Sequence, residues 1–415
     1  MGKAAACLGG AFAALCLAAP IWAGPAAQTA PFPVSGCTNC RQERPAVAGS
    51  ASGFLVVWEG SSAADLKGIS GRLFSNLGTP QAADFLVNKE VAPDQYDAAV
   101  TRDLQGNFIV VWSAVANGNS KIMAQKFQAN GAPAGNAFKV NQDPAGTPTI
   151  PADFNPAVAR TNDGGFVVAW ISLLPTSDPS QGPRPQVLAR RFNANGTPLR
   201  AQVKVSTGLV NGDRPDVCVD TAGRPLVVWA SVDEFRPFEA NKSGVSLRRL
   251  SARGVPEGTK EAVVTAPTAG STVKAAVSCG LGNTFVVVWH SDQAPAVDQT
   301  DVLGQRFNRT GSKLGPVFRV NATTSGFQKS PAISHDAQGN FVVVWQADLG
   351  TREGIFGRRF NAGGAATGLD FEVLSGPKTA AAPANPDVAH LGTAGNFVVV
   401  WQAGDQAVFG RLFTP

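Results

Sequence analysis

Seven times along the chain an apolar run ends in tryptophan: GFLVVW (Gly53–Trp58), GNFIVVW (Gly106–Trp112), GGFVVAW (Gly164–Trp170), RPLVVW (Arg224–Trp229), NTFVVVW (Asn283–Trp289), and GNFVVVW twice (Gly339–Trp345, Gly395–Trp401). Successive members of this set lie 54, 58, 59, 60, 56 and 56 residues apart. The 415 residues would by length hold two or three ordinary domains. A near-constant period overrides that, because each copy is one supersecondary unit that buries its faces only by stacking on its neighbours.

One unit shows what stacks. From Pro331 the chain reads PAISH, a tight DAQGN turn, then FVVVW, in which Phe341, Val343 and Trp345 share one face and Val342 and Val344 the other. Both faces are apolar, so this strand is covered on both sides. IFGRRF (Ile355–Phe360) is a third strand whose charge places it further out, and FEVL (Phe371–Leu374) is a fourth. A four-stranded sheet with two apolar faces cannot bury both alone. A ring of such sheets can, leaving only short protected edges. The expectation is an all-β chain, a seven-bladed β-propeller of four-stranded antiparallel blades; 45 Gly and 29 Pro between short Val/Phe runs agree.

The chain ends indicate how the ring closes. The last unit stops after AVFGRLF (Ala407–Phe413) and lacks the fourth strand, which elsewhere reads Phe-x-Val (Phe138–Val140, Phe318–Val320, Phe371–Val373). Phe32-Pro33-Val34 has that form and no unit of its own. Phe32–Ser35 is therefore expected to be the outer strand of the last blade. Pro33 suits an outermost strand, which can spare a donor, and closure removes exposed edges.

GNFVVVWQ followed by GIFGRRFNAGG and FEVL, with Gly304-Gln-Arg-Phe307 as a close copy of the second element, resembles a repeat of bacterial secreted and surface β-propeller proteins with VVVWQ…GQRF-type units. The resemblance covers nearly all of the chain after its leader. It implies export and a propeller and carries over no catalytic residue. The sialidase Asp box fits less well, because Trp345 follows Gly339 by six residues rather than three, and no Asp-rich calcium loop of the integrin type is present.

Residues 1–23 read as a signal peptide: Lys3, an apolar stretch to Trp22, and Ala23 before the cut. Residues 24–43 form an N-terminal segment with the closing strand and a CTNC group, and 44–415 the propeller. The expected location is secreted, extracellular or periplasmic, with no membrane span once the signal is cleaved. Four cysteines then remain, and an oxidising compartment favours disulfides. Cys37 and Cys40 read as a local bond. Cys218 and Cys279 sit on inner strands of adjacent blades, one residue out of step, so their side chains point to opposite faces of their sheets. They bond if those faces meet; otherwise both are buried thiols. The net charge of +5 is dispersed, without Lys or Arg runs, and predicts no nucleic-acid partner.

Catalytic inventory is thin. Three His, one Tyr and no GxSxG, HExxH or phosphate-cradling loop argue against the common hydrolases. Ser271-Thr-Val-Lys274 spells S-x-x-K without companion motifs. The far ends of the inner strands carry Gly49, Arg102, Arg160, Val219, Cys279, His335 and His390, an irregular set whose two histidines lack a third metal ligand. Basic third-strand residues, Arg72 to Arg411, run around the whole ring and read as outward charge, some over aromatic rings, rather than as a belt for acidic polymers. The loops after the tryptophan strands vary most, and Arg184, Glu234, Arg236, Phe238 and Asp298 form the expected ligand rim there. The expected function is a monomeric, non-enzymatic binding propeller recognising a protein or glycan on the long-loop face, with no catalytic residue, metal or cofactor. Alternatives are a glycoside hydrolase or lyase with carboxylates at the channel mouth, or a structural surface component.

Overall fold

The computed structural model describes residues 25–37, 40–60, 67–89, 94–116, 119–142, 152–175, 182–207, 210, 214–232, 243–258, 262–265, 274–291, 299–378, 382–404 and 407–415. The expected signal peptide lies outside them. Seven four-stranded antiparallel sheets follow one another along the chain, each paired in the order inner, second, third, outer. Blade 6 is representative, with strands Phe327–His335, Phe341–Asp348, Arg352–Phe360 and Phe371–Pro377. The inner strand of every blade touches that of the next, and the first (Gln42–Ser50) touches the last (Pro383–Leu391), so the sheets form a closed ring around a central channel. The inner strand of blade 1 thus opens at Gln42.

The alternation read from FVVVW is realised as two separate cores. Phe341, Val343 and Trp345 pack with Val286 and Val288 of blade 5. Val342 and Val344 pack with Val399 and Trp401 of blade 7. All seven strand-ending tryptophans are at most 2% exposed, so each wedges between two blades.

Closure occurs where the chain ends predicted it. Phe32 and Pro33 pair with Gly410 and Phe409, and the Val34 amide donates to the Val408 carbonyl at 2.9 Å. The strand proper ends at Pro33. Ser35 departs from it because its hydroxyl donates to Asp84 of blade 1 at 2.6 Å.

Third-strand arginines turn out to be staples between blades. Through Nη1, Arg72, Arg190, Arg248, Arg358 and Arg411 donate to outer-strand carbonyls of the preceding blade: Val34 (3.1 Å), Val140 (2.8 Å), Val205 (2.9 Å), Val320 (3.0 Å) and Val373 (2.6 Å). Four of them also lie over the phenylalanine two residues on, as expected of the stacked fraction. Blades 2 and 5 carry Gln125 and Gln305 instead, which reach only carbonyls of their own blade. The following residue staples forward: Lys126, Arg191 and Arg306 donate to the turn-tip carbonyls of Ala194, Ala252 and Ala362 in the next blade.

Both disulfides form. Cys37–Cys40 is local, and Cys218–Cys279, with Cα atoms 5.6 Å apart, ties blades 4 and 5. The one-residue offset works because the two faces that meet carry them into the same interblade core.

Candidate functional site at the mouth of the central channel

Near the long-loop end of every inner strand stands one variable polar residue followed by a nearly constant Pro/Ala-Ala/Asp-Val/Ile stretch. The variable residues are Arg44, Asp97, Asn155, Arg214, Lys274, Ser330 and Asn385, in blade order. Five of them hold left-handed backbone, with φ of 45°, 58°, 55°, 54° and 50° at Arg44, Asp97, Asn155, Ser330 and Asn385. At the same five places the pairing with the second strand slips by a bulge. Such conformations are uncommon outside glycine, and bulges re-aim side chains. All seven residues line one cavity of about 670 Å³, with Asp216, Asp387, Lys329 and His290.

Charges at this mouth are knotted together. The Arg44 guanidinium lies 2.9 Å from Asp97 and 3.6 Å from Glu59. Arg214, from blade 4, lies 3.4 Å from the same Asp97 oxygen in blade 2, so it spans the opening. Glu59 is 6% exposed and accepts the Asp97 amide at 2.6 Å. Burial outweighs Arg44 and pushes its carboxyl up to about 7.

Two blades carry Asp where the other five have Ala, two residues after the variable position. Asp216 accepts its neighbour Val217 N at 2.8 Å and Val277 N of blade 5 at 2.7 Å. Asp387 accepts Val388 N and, across the closure, Val47 N of blade 1, both at 2.9 Å. Protein surrounds both groups although they border the channel. Burial pushes Asp216 up to about 6, with the Asp387 charge adding to the rise, and raises Asp387 in the same direction. Lys274 is the cation that opposes both shifts.

At the other end of the channel the histidines serve as wall. His335 packs against Phe341 with ring centroids 5.2 Å apart, and His390 Nδ1 lies 3.0 Å from the Ser334 hydroxyl. Burial pushes them down to about 3 and about 4, so both are neutral at pH 7. Among the described residues no group of three or more His, Cys, Asp or Glu gathers to hold a metal. No helix of the described residues is long and apolar enough to cross a membrane.

Of the rim read from the sequence, Arg184 opens the third strand of blade 3 opposite Leu174, on the long-loop face. Glu234, Arg236, Phe238 and Asp298 lie outside the described residues. The sequence reading singles out the far end of the same strands and misses this seven-residue ring. Aligning the seven units on their Pro/Ala-Ala/Asp-Val stretch would have exposed it: one position varies in charge while its neighbours hold constant.

No family model matches this sequence, and no curated protein matches it. Solved structures do match in shape. An ulvan lyase described as a new family of polysaccharide lyase aligns with TM-score 0.61 at 9% identity, over 93% of this chain and 96% of that one. A protein of unknown function from Dyadobacter fermentans aligns with TM-score 0.55 at 11% identity, over 94% and 99%. An alpha-L-arabinofuranosidase from Fusarium graminearum aligns with TM-score 0.51 at 12% identity, over 77% and 93%. At these identities the likeness is one of fold: the chain is built as a seven-bladed β-propeller.

Proposed function

We propose that this protein binds an anionic glycan, without transforming it, in the long-loop mouth of its central channel. The carrying observation is the ring itself. Seven equivalent backbone positions converge on one cavity of about 670 Å³, and three of them are Arg44, Arg214 and Lys274, with Lys329 beside them. Amide and hydroxyl side chains at Asn155, Asn385 and Ser330 add groups suited to sugar hydroxyls plus carboxylate or sulfate, and the seventh position, Asp97, pairs with Arg44 and Arg214. Among the described residues the cavity lining includes no Trp, Tyr or Phe, which supports recognition led by charge rather than by stacking on a sugar face.

Two neighbours in fold act on saccharides by their names, and the ulvan lyase is also known bound to -[GlcA(1-4)Rha3S]-, a sulfated uronate chain. Two disulfides suit an oxidising compartment outside the cytoplasm. The competing reading is a lyase or hydrolase using Asp216 and Asp387. Each of those carboxylates accepts two backbone amides and is thereby held into the wall, which favours the binding reading.

The test is titration of the intact protein with a polyuronate, a sulfated polysaccharide and a neutral arabinan, with product analysis. Salt-sensitive binding of the anionic chains is expected, and Lys274→Gln or Arg214→Gln should each weaken it about tenfold, equivalent to ~1.4 kcal/mol. Equal affinity for the neutral chain would overturn the reading. New reducing or unsaturated ends would establish the enzymatic alternative.

A further inference from the structure

In blades 2, 3 and 5 the basic residue just before the phenylalanine that ends the third strand reaches forward to the turn-tip carbonyl of the next blade, as Lys126, Arg191 and Arg306 do. Arg249 of blade 4 occupies the same position, and the equivalent carbonyl is that of Arg309. That carbonyl is taken by a different side chain, Arg224, at 3.3 Å. Arg249 lies instead over the Phe285 ring of blade 5, 5.7 Å from its centroid, and among the described residues donates no hydrogen bond.

Two further departures from the repeat meet at this place. In the other blades with a first turn of the same length, asparagine, glycine or threonine stands where blade 4 has Arg224. The other turn tips carry alanine in four blades and asparagine in blade 1 where blade 5 has Arg309. Three arginines from three different turns and strands thus converge where the repeat supplies one cation and small side chains. They line a recess of about 410 Å³ with Asn283, Ala222 and Thr310, on the face opposite the channel mouth described above.

The recess is held in shape. The Asn283 side-chain oxygen accepts the Thr221 hydroxyl at 2.5 Å and the Ala222 amide at 3.0 Å, which leaves its NH2 group as a donor. Arg224 is braced by Asp220 at 2.8 Å, and Asp220 also accepts two amides of its own turn. The Cys218–Cys279 bond locks the same two blades beneath. Asp220 is thus already committed to Arg224 and its turn, and the exposed Glu257 is the other carboxylate acting on Arg249. A cluster of forked donors on fixed elements matches a tetrahedral oxyanion.

We propose that the recess between blades 4 and 5, formed by Arg224, Arg249, Arg309 and Asn283, is an oxyanion site that takes a phosphate or sulfate group. It stands independently of the channel reading. The experiment is calorimetric titration of the intact protein with inorganic phosphate and, separately, inorganic sulfate, at ionic strength held constant with chloride. A site that survives Lys274→Gln is expected, with the tighter ion identifying the ester class. Arg249→Gln and Arg309→Gln should each weaken it at least tenfold while leaving the anion-free Tm unchanged, and Arg249→Lys should restore part of the loss. Lys274→Gln, at the other face, should leave it intact. Absence of binding by both ions, unchanged affinity in both glutamine variants, or loss of binding in Lys274→Gln alone would each overturn the assignment.

Discussion

Residues Phe341–Ala347 of blade 6 and Phe397–Ala403 of blade 7 are the same seven letters, FVVVWQA, whereas the inner strands of those blades carry Ser330-Pro-Ala-Ile and Asn385-Pro-Asp-Val. The backbone is equivalent in both places; what the side chains face is not. Second-strand residues point into cores shared by two blades, where close packing punishes any change of volume. The variable inner-strand residue lines the channel mouth, where no neighbouring core must be filled. Packing thus explains the uniformity of one set, and the other set is left open to chemistry.

The sharpest way to break this contrast is to empty a shared core. Trp345 is 1% exposed, and its indole N–H donates to Gln328 at 3.1 Å. Trp345→Ala should cost about 3–5 kcal/mol, the range for removing a buried aromatic, read from urea unfolding. A loss below about 1 kcal/mol would mean that neighbouring blades collapse to fill the site and that uniformity has another cause.

A smaller effect sharpens the comparison between stapled and unstapled blades. Arg358 joins blade 6 to Val320 of blade 5 at 3.0 Å and to Gly368 of its own turn at 2.9 Å. Arg358→Gln copies what blades 2 and 5 carry and should cost about 1–3 kcal/mol, the usual range for hydrogen bonds to charged groups. If the variant's unfolding midpoint equals that of the native protein, the staples are replaceable by water. Blade 5 already shows one substitute: the Lys313 ammonium donates to Val264 of blade 4 at 3.0 Å.

This division also sets what the sequence reveals. Ring size, strand count and closure were legible because they are written in apolar periodicity and in the missing Phe-x-Val strand, both products of packing. The disulfide between Cys218 and Cys279 was legible only as a choice, since alternation tells which side a residue takes but not which sides meet. The staples were hidden because a basic residue on an outer strand reads as solvated charge until a carbonyl 38 to 50 residues earlier is placed beside it. The channel mouth was hidden for the converse reason: its residues recur once per unit but share no residue type, and their convergence exists only once seven strands close on one axis.

The smallest predicted effect tests whether the mouth behaves as an electrostatic unit. Glu59 has its carboxyl at about 7 against an ordinary 4.5, chiefly through burial. It is therefore mostly neutral at pH 6 and mostly charged at pH 8, beside Arg44 and Asp97, with Arg214 acting on it as well. An added negative charge there opposes an anionic ligand, so affinity for a polyuronate should fall about fivefold across that interval at low salt. Stability moves the same way: a raised folded-state value means its contribution is complete below 4.5 and is lost as pH climbs through about 7. Glu59→Gln should flatten both curves near 7, leaving a residual slope near 6 in stability to which Asp216 and Asp153, both raised to about 6 by burial, contribute, and which Asp216→Asn should reduce. Measured by titration at pH steps from 5 to 9, an unchanged step near 7 in Glu59→Gln would mean that another group controls the mouth, and the charges knotted around Asp97 would then be a brace for the ring rather than part of its binding surface.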